Sequence, residues 1–183
     1  MGEPTIKRGS DHFFTTLYEG TGLGRKVGKF QPFTASGTIA NSVIFNDGDT
    51  PAISRTLSGD GNKKKFTISL WMKRCVGNYS DFATLLVGGG TSGSSAGIFI
   101  NSSQQLYIYL FGAAALVTTQ TFEDQSRWYH IVVRVDTSDS TADNRVRLYV
   151  DGTQITSFGT RNNPSQEAEE TLLNVNAKNI DLG

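Results

Sequence analysis

The chain has little charge, one cysteine and no long apolar run. Each of these shortages argues against one class of protein or one kind of covalent link. Only 19% of its 183 residues are charged, and 17 basic residues balance 17 acidic ones. A formal charge of zero argues against a general electrostatic attraction to nucleic acid or to an anionic membrane. Cys75 is the single cysteine, so no disulfide can form within the chain.

The sequence also lacks the apolar segments that direct proteins into or across membranes. No stretch is apolar over the ~20 residues that a membrane span needs, so we expect no membrane insertion. The first ten residues are polar and lack the apolar core of a signal peptide. Together with the lone cysteine, this leads us to expect synthesis in a reducing compartment, where the protein stays soluble.

What the sequence does contain is a repeated alternation of apolar and polar side chains. The pattern is clearest in residues 66–73 (FTISLWMK), 128–136 (WYHIVVRVD) and 144–152 (NRVRLYVDG). A period of two is typical of strands with one buried and one wetter face, which a second sheet must cover. Because helical patterns are almost absent, the sequence predicts one all-β domain, an antiparallel two-sheet β-sandwich.

Shorter strands are predicted between turn signals, at residues 42–46, 52–57, 84–87, 96–100, 106–111, 116–121, 154–158 and 177–182. The alternation places six apolar side chains in the core: Ile68, Leu70, Ile131, Val133, Val146 and Leu148. Residues 165–173 contain helix formers after a serine suited to a helix N-cap, which leaves a short helical turn open there.

The first 38 residues are predicted to form an extended N-terminal arm, which leaves residues 39–183 for the sandwich. The arm mixes aromatic residues with glycine and carries no helical stripe. We expect it to dock onto the domain body or a neighbouring subunit through its aromatic side chains, namely Phe13, Phe14, Tyr18, Phe30 and Phe33.

The ordered trio of residues 66–73, 128–136 and 145–155 resembles the laminin-G-like, concanavalin A-like jelly roll. In that family a tryptophan-bearing strand, a W-x-H strand and an L-Y-V-D-G hairpin follow in this order. The resemblance covers roughly residues 39–183 and implies a structural role for His130. Family members normally continue past the equivalent of residues 180–183 into another strand. We therefore expect the sandwich to lack its last strand and the sequence to be the N-terminal part of something longer.

Three further segments resemble versions found in bacteriophage tail-fibre and virion-appendage proteins: residues 38–49 (TIANSVIFNDGD), 53–58 (ISRTLS) and 162–166 (NNPSQ). This resemblance implies a non-enzymatic structural protein, made in the bacterial host cytoplasm and located in the virion. It would contact other virion proteins in attachment or assembly. Fibres of this kind are usually trimeric, so a homotrimer is expected.

Catalytic chemistry has little support in the residues. The two histidines are His12 and His130, and the second lies in a predicted strand. A glycosidase, the enzymatic alternative, needs two carboxylates about 5–10 Å apart across a cleft. Glu167, Glu169 and Glu170 lie in a polar stretch and are predicted to be solvated surface. We therefore expect no enzyme, no catalytic residue and no cofactor.

Calcium is the one metal with candidate ligands, because laminin-G-like sandwiches often bind it at a loop rim. Asp47, Asp49 and Asp60 lie in predicted early turns, and a later loop contains Asp136, Asp139 and Asp143. Calcium takes six to eight oxygen ligands, and neither group forms an EF-hand loop. The family resemblance is the main reason to consider this site.

A lectin-like module that recognises host surface glycans is the alternative function. Lectin sites use exposed aromatic rings, and the candidates are Tyr79 in a loop and Tyr107 and Tyr109 in strand 106–111, on one face with Phe111. The opposite face of this strand is also apolar, so the strand is predicted to be covered on both sides. That favours an interface with the arm or another subunit, and a glycan surface remains the other interpretation.

Overall fold

The computed structural model describes residues 52–74, 82–89 and 95–183. The strands are β1 (Ile53–Thr56), β2 (Lys65–Met72), β3 (Ala83–Gly88), β4 (Ala96–Ile100), β5 (Gln105–Leu110), β6 (Ala113–Thr121), β7 (Tyr129–Asp136), β8 (Val146–Val150), β9 (Thr153–Ile155), β10 (Phe158–Arg161) and β11 (Asn179–Leu182). A 3-10 helix at Ala142–Asn144 precedes β8. The predicted all-β fold is confirmed.

Two antiparallel sheets divide these strands. The large sheet has seven strands in the order β1-β11-β3-β4-β5-β6-β10, and the small sheet has four in the order β2-β7-β8-β9. The long strands β2 and β7 pair along their whole length, from Lys65 opposite Asp136 to Met72 opposite Tyr129. The inner faces of both sheets contribute to one hydrophobic core.

The centre of the core comes from alternate residues of the middle strands. On the large sheet Ile98, Leu106 and Ile108 are fully buried. On the small sheet the fully buried positions include four of the six predicted core residues, Ile131, Val133, Val146 and Leu148. The prediction is confirmed for these four because β7 and β8 have neighbours on both sides.

The two predicted core residues of β2 are less buried than the alternation indicates. Ile68 and Leu70 are half-buried and pack against the core from its margin. The reason is that β2 is an edge strand of the small sheet, with a neighbour on one side only among the described residues. A cavity of about 160 Å³ opens here, lined by Phe66, Ile68 and residues of the large sheet such as Leu86.

The prediction of a single strand at residues 154–158 is wrong, because two different strands, β9 and β10, share this stretch. Strand β9 pairs with β8 in the small sheet, and β10 pairs with β6 in the large sheet. Thr156 and Ser157 carry the chain from one sheet to the other. A pattern of apolar residues cannot show this change of partner.

Residues 165–173 form turns and bends instead of a helical turn. The prediction that Glu170 is solvated is also wrong, because its side chain is fully buried. Its carboxylate accepts hydrogen bonds from the backbone N–H groups of Phe111, Thr171 and Leu172, at 2.8, 2.9 and 3.1 Å. Glu170 therefore ties this segment to the turn after β5 and satisfies backbone donors that a helix would have used.

Several predictions fall outside the described residues. They are the strand at 42–46, the arm residues Phe13, Phe14, Tyr18, Phe30 and Phe33, the loop residue Tyr79, and the calcium candidates Asp47 and Asp49. Within the described ranges, no helix has the length and apolar character required to cross a membrane.

Candidate functional site

Four aromatic rings form a continuous cluster on the outside of the large sheet. Strands β4 and β5 bury one set of alternate side chains in the core, so the other set must point outward. The outward set includes Phe99, Tyr107 and Tyr109, and Phe82 joins them from the residue before β3. We call Phe82, Phe99, Tyr107 and Tyr109 the aromatic face.

The rings of the aromatic face contact one another in specific geometries. Phe99 lies directly opposite Tyr107 in the β4–β5 register. Phe82 meets the Tyr107 ring edge to face, with centroids 5.2 Å apart and planes at 66°. The rings of Tyr107 and Tyr109 are nearly parallel, at 15° with centroids 6.2 Å apart. Such pairs restrict one another, so the surface is organised before any partner arrives.

The aromatic face is accessible and nearly free of charge. The side chain of Phe82 is 53% exposed, and Phe99, Tyr107 and Tyr109 are half-buried. The tyrosines add a hydroxyl to an otherwise apolar patch, which suits them to stacking and hydrogen bonding at once. Exposed apolar patches of this kind mark interaction sites.

Gly97 allows strands β3 and β4 to pack closely beneath the aromatic face. It lies opposite Tyr109 in the β4–β5 register and beside β3. A Cβ atom at this position would overlap the carbonyl oxygen of Leu86 and approach Phe99 Cζ to 3.0 Å. Only glycine permits β3 and β4 to come this close while the Phe99 ring keeps its place.

The outer face of the small sheet holds a different arrangement around His130. The imidazole stacks on Trp71 with centroids 4.7 Å apart and planes at 16°, and its Nε2 lies 2.9 Å from Ser69 Oγ. The His130 backbone N–H donates to Asp151 Oδ1 at 2.8 Å, and Asp151 also pairs with Arg127. The two contacts of the ring hold it against the neighbouring strand β2.

Two of the aspartates named as calcium candidates, Asp60 and Asp136, use their carboxylates in hydrogen bonds and ion pairs within the protein. Asp60 accepts the backbone N–H of Asn176 at 2.6 Å and pairs with Lys63 at 2.8 Å, which together lower the pKa of this carboxyl. The Ser138 hydroxyl, donating at 2.7 Å, lowers the pKa of Asp136. No group of three or more acidic, histidine or cysteine side chains in the described ranges has a metal-binding arrangement.

The structure brings two of the candidate aromatics together and adds two that the sequence analysis did not single out. Tyr107 and Tyr109 are neighbours on one face, as predicted, whereas Phe111 turns away. Phe111 follows the end of β5 with a left-handed φ of 54° and packs against the core. Phe82 and Phe99 were missed, although the alternation of Ile98, Phe99 and Ile100 already separates Phe99 from the buried side.

Comparison with protein-family models gives one finding. Residues 46–179, well over half of the chain, match a laminin-G-type family described as the concanavalin A-like lectin/glucanases superfamily. The matched region contains the described strands from β1 to β10 and the whole aromatic face. No match was found among curated proteins or among solved structures.

Proposed function

The chain belongs to the concanavalin A-like lectin/glucanases superfamily, and from this premise we propose that it is a non-catalytic binding module of a bacteriophage fibre or virion appendage. The observation that carries the binding role is the aromatic face, with Phe82 53% exposed on the outside of a sheet whose inner side is buried. The resemblance of residues 38–49, 53–58 and 162–166 to phage fibre proteins supports the virion location.

The structural use of the ionisable groups supports binding over hydrolysis. A glucanase needs a free acid and a free base or nucleophile facing one sugar. Glu170 is buried and bonded to three backbone N–H groups, and His130 is held between Trp71 and Ser69. Glu167 and Glu169 pair with Lys64 at 3.2 and 3.7 Å.

The partner of the aromatic face in this proposal is a sister subunit, in a homotrimer that also contacts other virion proteins. Large aromatic side chains are enriched at protein interfaces, where they bury much area at a small entropic cost. The near absence of charge among the four rings fits an apolar contact between identical chains.

The oligomeric mass tests this proposal. The double variant Tyr107→Ser/Tyr109→Ser should shift the particle mass, measured by light scattering, from a trimer toward a monomer. Tyr149→Ser is the matched control, because Tyr149 is a half-buried tyrosine on the outer face of the small sheet. A monomeric wild-type protein that never enters particles, or an unchanged mass in the folded double variant, would contradict the proposal.

Carbohydrate binding is the second candidate function, and one observation favours it. The aromatic face combines the exposed ring of Phe82 with the hydroxyl groups of Tyr107 and Tyr109, so it offers a sugar both an apolar surface and hydrogen-bonding groups. On a glycan array, host surface glycans should bind the wild type and lose binding in Tyr109→Ser. Loss of glycan binding with unchanged oligomeric mass would assign the aromatic face to glycan instead of subunit contact.

We propose that binding needs no cofactor. Calcium titrated into chelator-treated protein should then produce neither heat nor a shift in the melting temperature. Heat that disappears in Asp47→Asn or Asp49→Asn would instead establish a calcium site of the kind the family resemblance implies.

A further inference from the structure

Two arginines face each other on the outer surface of the small sheet. Arg134 of β7 lies directly opposite Arg147 of β8, and the residues on either side of each are buried valines or leucine. Both side chains therefore project from the outer face. Like charges directly opposite each other destabilise a strand pair. We call Arg134 and Arg147 the basic pair.

Arg147 differs from the other half-buried arginines because it lacks a partner among the described residues. Its Nε is buried and makes no hydrogen bond. Arg134, in contrast, donates to Asp136 Oδ2 at 2.9 Å and to the Asn144 carbonyl at 3.3 Å. Arg145 donates to three backbone carbonyl groups. A buried donor without an acceptor is rare in folded proteins and calls for an explanation.

The neighbouring outer positions of the small sheet carry polar, aliphatic and aromatic side chains. Ser69, Val132, Tyr149 and Gln154 form the next row of the sheet, and Trp71 and His130 form the row beyond. Trp71 is 40% exposed. Three residues of β7 lie between Arg134 and His130, which puts the basic pair roughly 13 Å from this last row. One cationic end and one aromatic end thus share a single flat surface.

We propose that the outer face of the small sheet binds a carboxylated oligosaccharide. The basic pair holds the carboxylate of one acidic sugar, because a guanidinium matches a carboxylate with two parallel hydrogen bonds. The bound carboxylate accepts from the terminal N–H groups of Arg147, for which the described residues supply no acceptor, and reduces the repulsion between the two arginines. Trp71 stacks against a sugar further along the same chain, and the hydroxyl-bearing and amide side chains between them bond sugar hydroxyl groups.

This inference goes beyond the proposed function because it concerns the other sheet and does not depend on a virion. The surface fits an acidic sugar better than a nucleic acid. The chain has zero formal charge, and Asp136 follows the basic pair along β7. A protein that tracks phosphates needs a longer series of cations than one pair.

Isothermal titration calorimetry with a tetrasaccharide of galacturonic acid tests the proposal. The wild-type chain should bind it and should bind the carboxyl-reduced, neutral counterpart far more weakly. Arg147→Gln should weaken binding of the acidic tetrasaccharide by about tenfold or more, the loss expected for a charged bidentate contact. Arg55→Gln is the matched control, because Arg55 is an exposed strand arginine on the large sheet.

Three results would overturn the proposal: no binding of the acidic tetrasaccharide, equal binding of the neutral one, or unchanged affinity in Arg147→Gln. A single-stranded oligonucleotide of equal charge that binds as tightly would overturn it too, since the site would then select only charge. Arg147→Gln should melt no lower than wild type, because it removes a repulsive, unpaired group.

A second variant gives an independent readout. Trp71→Ala should lower the affinity for the tetrasaccharide but leave the weak affinity for monomeric galacturonic acid unchanged, because only the longer ligand reaches from the basic pair to Trp71. Equal losses for both ligands would contradict the assigned direction of the chain.

Discussion

The two sheets of this sandwich are built by the same alternation, yet the side chains on their outer faces differ. On the large sheet the outward positions of β4 and β5 include Phe99 and Tyr107, which contact other rings. On the small sheet the outward positions of β7 and β8 include Arg134 and Arg147. Alternation therefore predicts which side of a strand is buried, while the chemistry of the other side depends on each residue separately.

The inner faces differ as well, in how deeply they are buried. Ile108 of β5 is fully buried because strands flank it on both sides, whereas Ile68 of β2 is half-buried at an edge. The same residue type in the same pattern thus contributes different amounts to stability. Burial depends on the position of the strand in the sheet.

The largest expected effect comes from the buried acid that supports the large sheet. Glu170→Ala leaves three backbone N–H groups without their acceptor and should lower the free energy of unfolding by about 3 kcal/mol or more. Glu169→Ala, at an exposed neighbouring position, should cost less than about 0.5 kcal/mol. Urea unfolding measures both, and equal costs would show that the carboxylate does not hold this segment.

The next effect compares the centre and the margin of the small sheet. Leu148→Ala should cost about 2–5 kcal/mol, because its side chain is fully buried and truncation leaves a cavity. Leu70→Ala should cost less than about 2 kcal/mol, since half-buried Leu70 already borders solvent. If both variants lose the same free energy of unfolding, the edge position of β2 does not matter for burial.

A smaller effect compares the stacked pair on each outer face. Double-mutant cycles for Trp71 with His130 and for Tyr107 with Tyr109 should each give a coupling of about 0.5–1.5 kcal/mol. The Trp71–His130 coupling should be the larger one, because its centroids are 4.7 Å apart instead of 6.2 Å. The reverse order would show that the distance between the ring centroids does not decide the strength of the coupling.

The smallest effect concerns pH and the edge of the large sheet, where Asp60 bonds to the N–H of Asn176 just before β11. The pKa of Asp60 lies below its usual 3.8, so the folded state favours the ionised carboxylate. Its contribution to stability is complete above that usual value and is lost as pH falls through the lowered pKa. Asp60→Asn keeps an acceptor but cannot ionise.

Wild type should therefore be slightly more stable than Asp60→Asn near neutral pH, and the difference should close between roughly pH 5 and roughly pH 2. Because Asp60 is exposed, added salt should reduce the difference as well. Urea midpoints across this range measure it, and a constant gap between the two proteins would rule out the ionic contribution.

Much of the fold could be predicted from local pattern alone. Strands β7 and β8 alternate so regularly that Val133 and Leu148 were assigned to the core correctly. The alternation of apolar residues gave a wrong prediction where the pairing with a distant strand decides which sheet a segment joins. The chain passes from the small sheet to the large sheet at Thr156 and Ser157. The period of the side chains does not show which strand each segment pairs with.

The candidate site was predictable only in part, for a related reason. Tyr107 and Tyr109 stand out because they alternate within one strand, but Phe82 joins them from a segment 25 residues earlier in the sequence. Glu170 looked like surface because its backbone donor Phe111 is 59 residues away. Contacts between distant segments require the sheet order, which the sequence pattern does not contain.

Gly97 has a consequence for how such a module diversifies. Because the backbone at this position leaves no space for a side chain, the framework beneath the aromatic face tolerates little variation there. The rings at positions 99, 107 and 109 project outward, so a different ring at these positions adds no volume to the core. Under the proposed binding role, selection for new partners would act on ring identity and leave this glycine fixed, so that specificity and foldability would evolve separately.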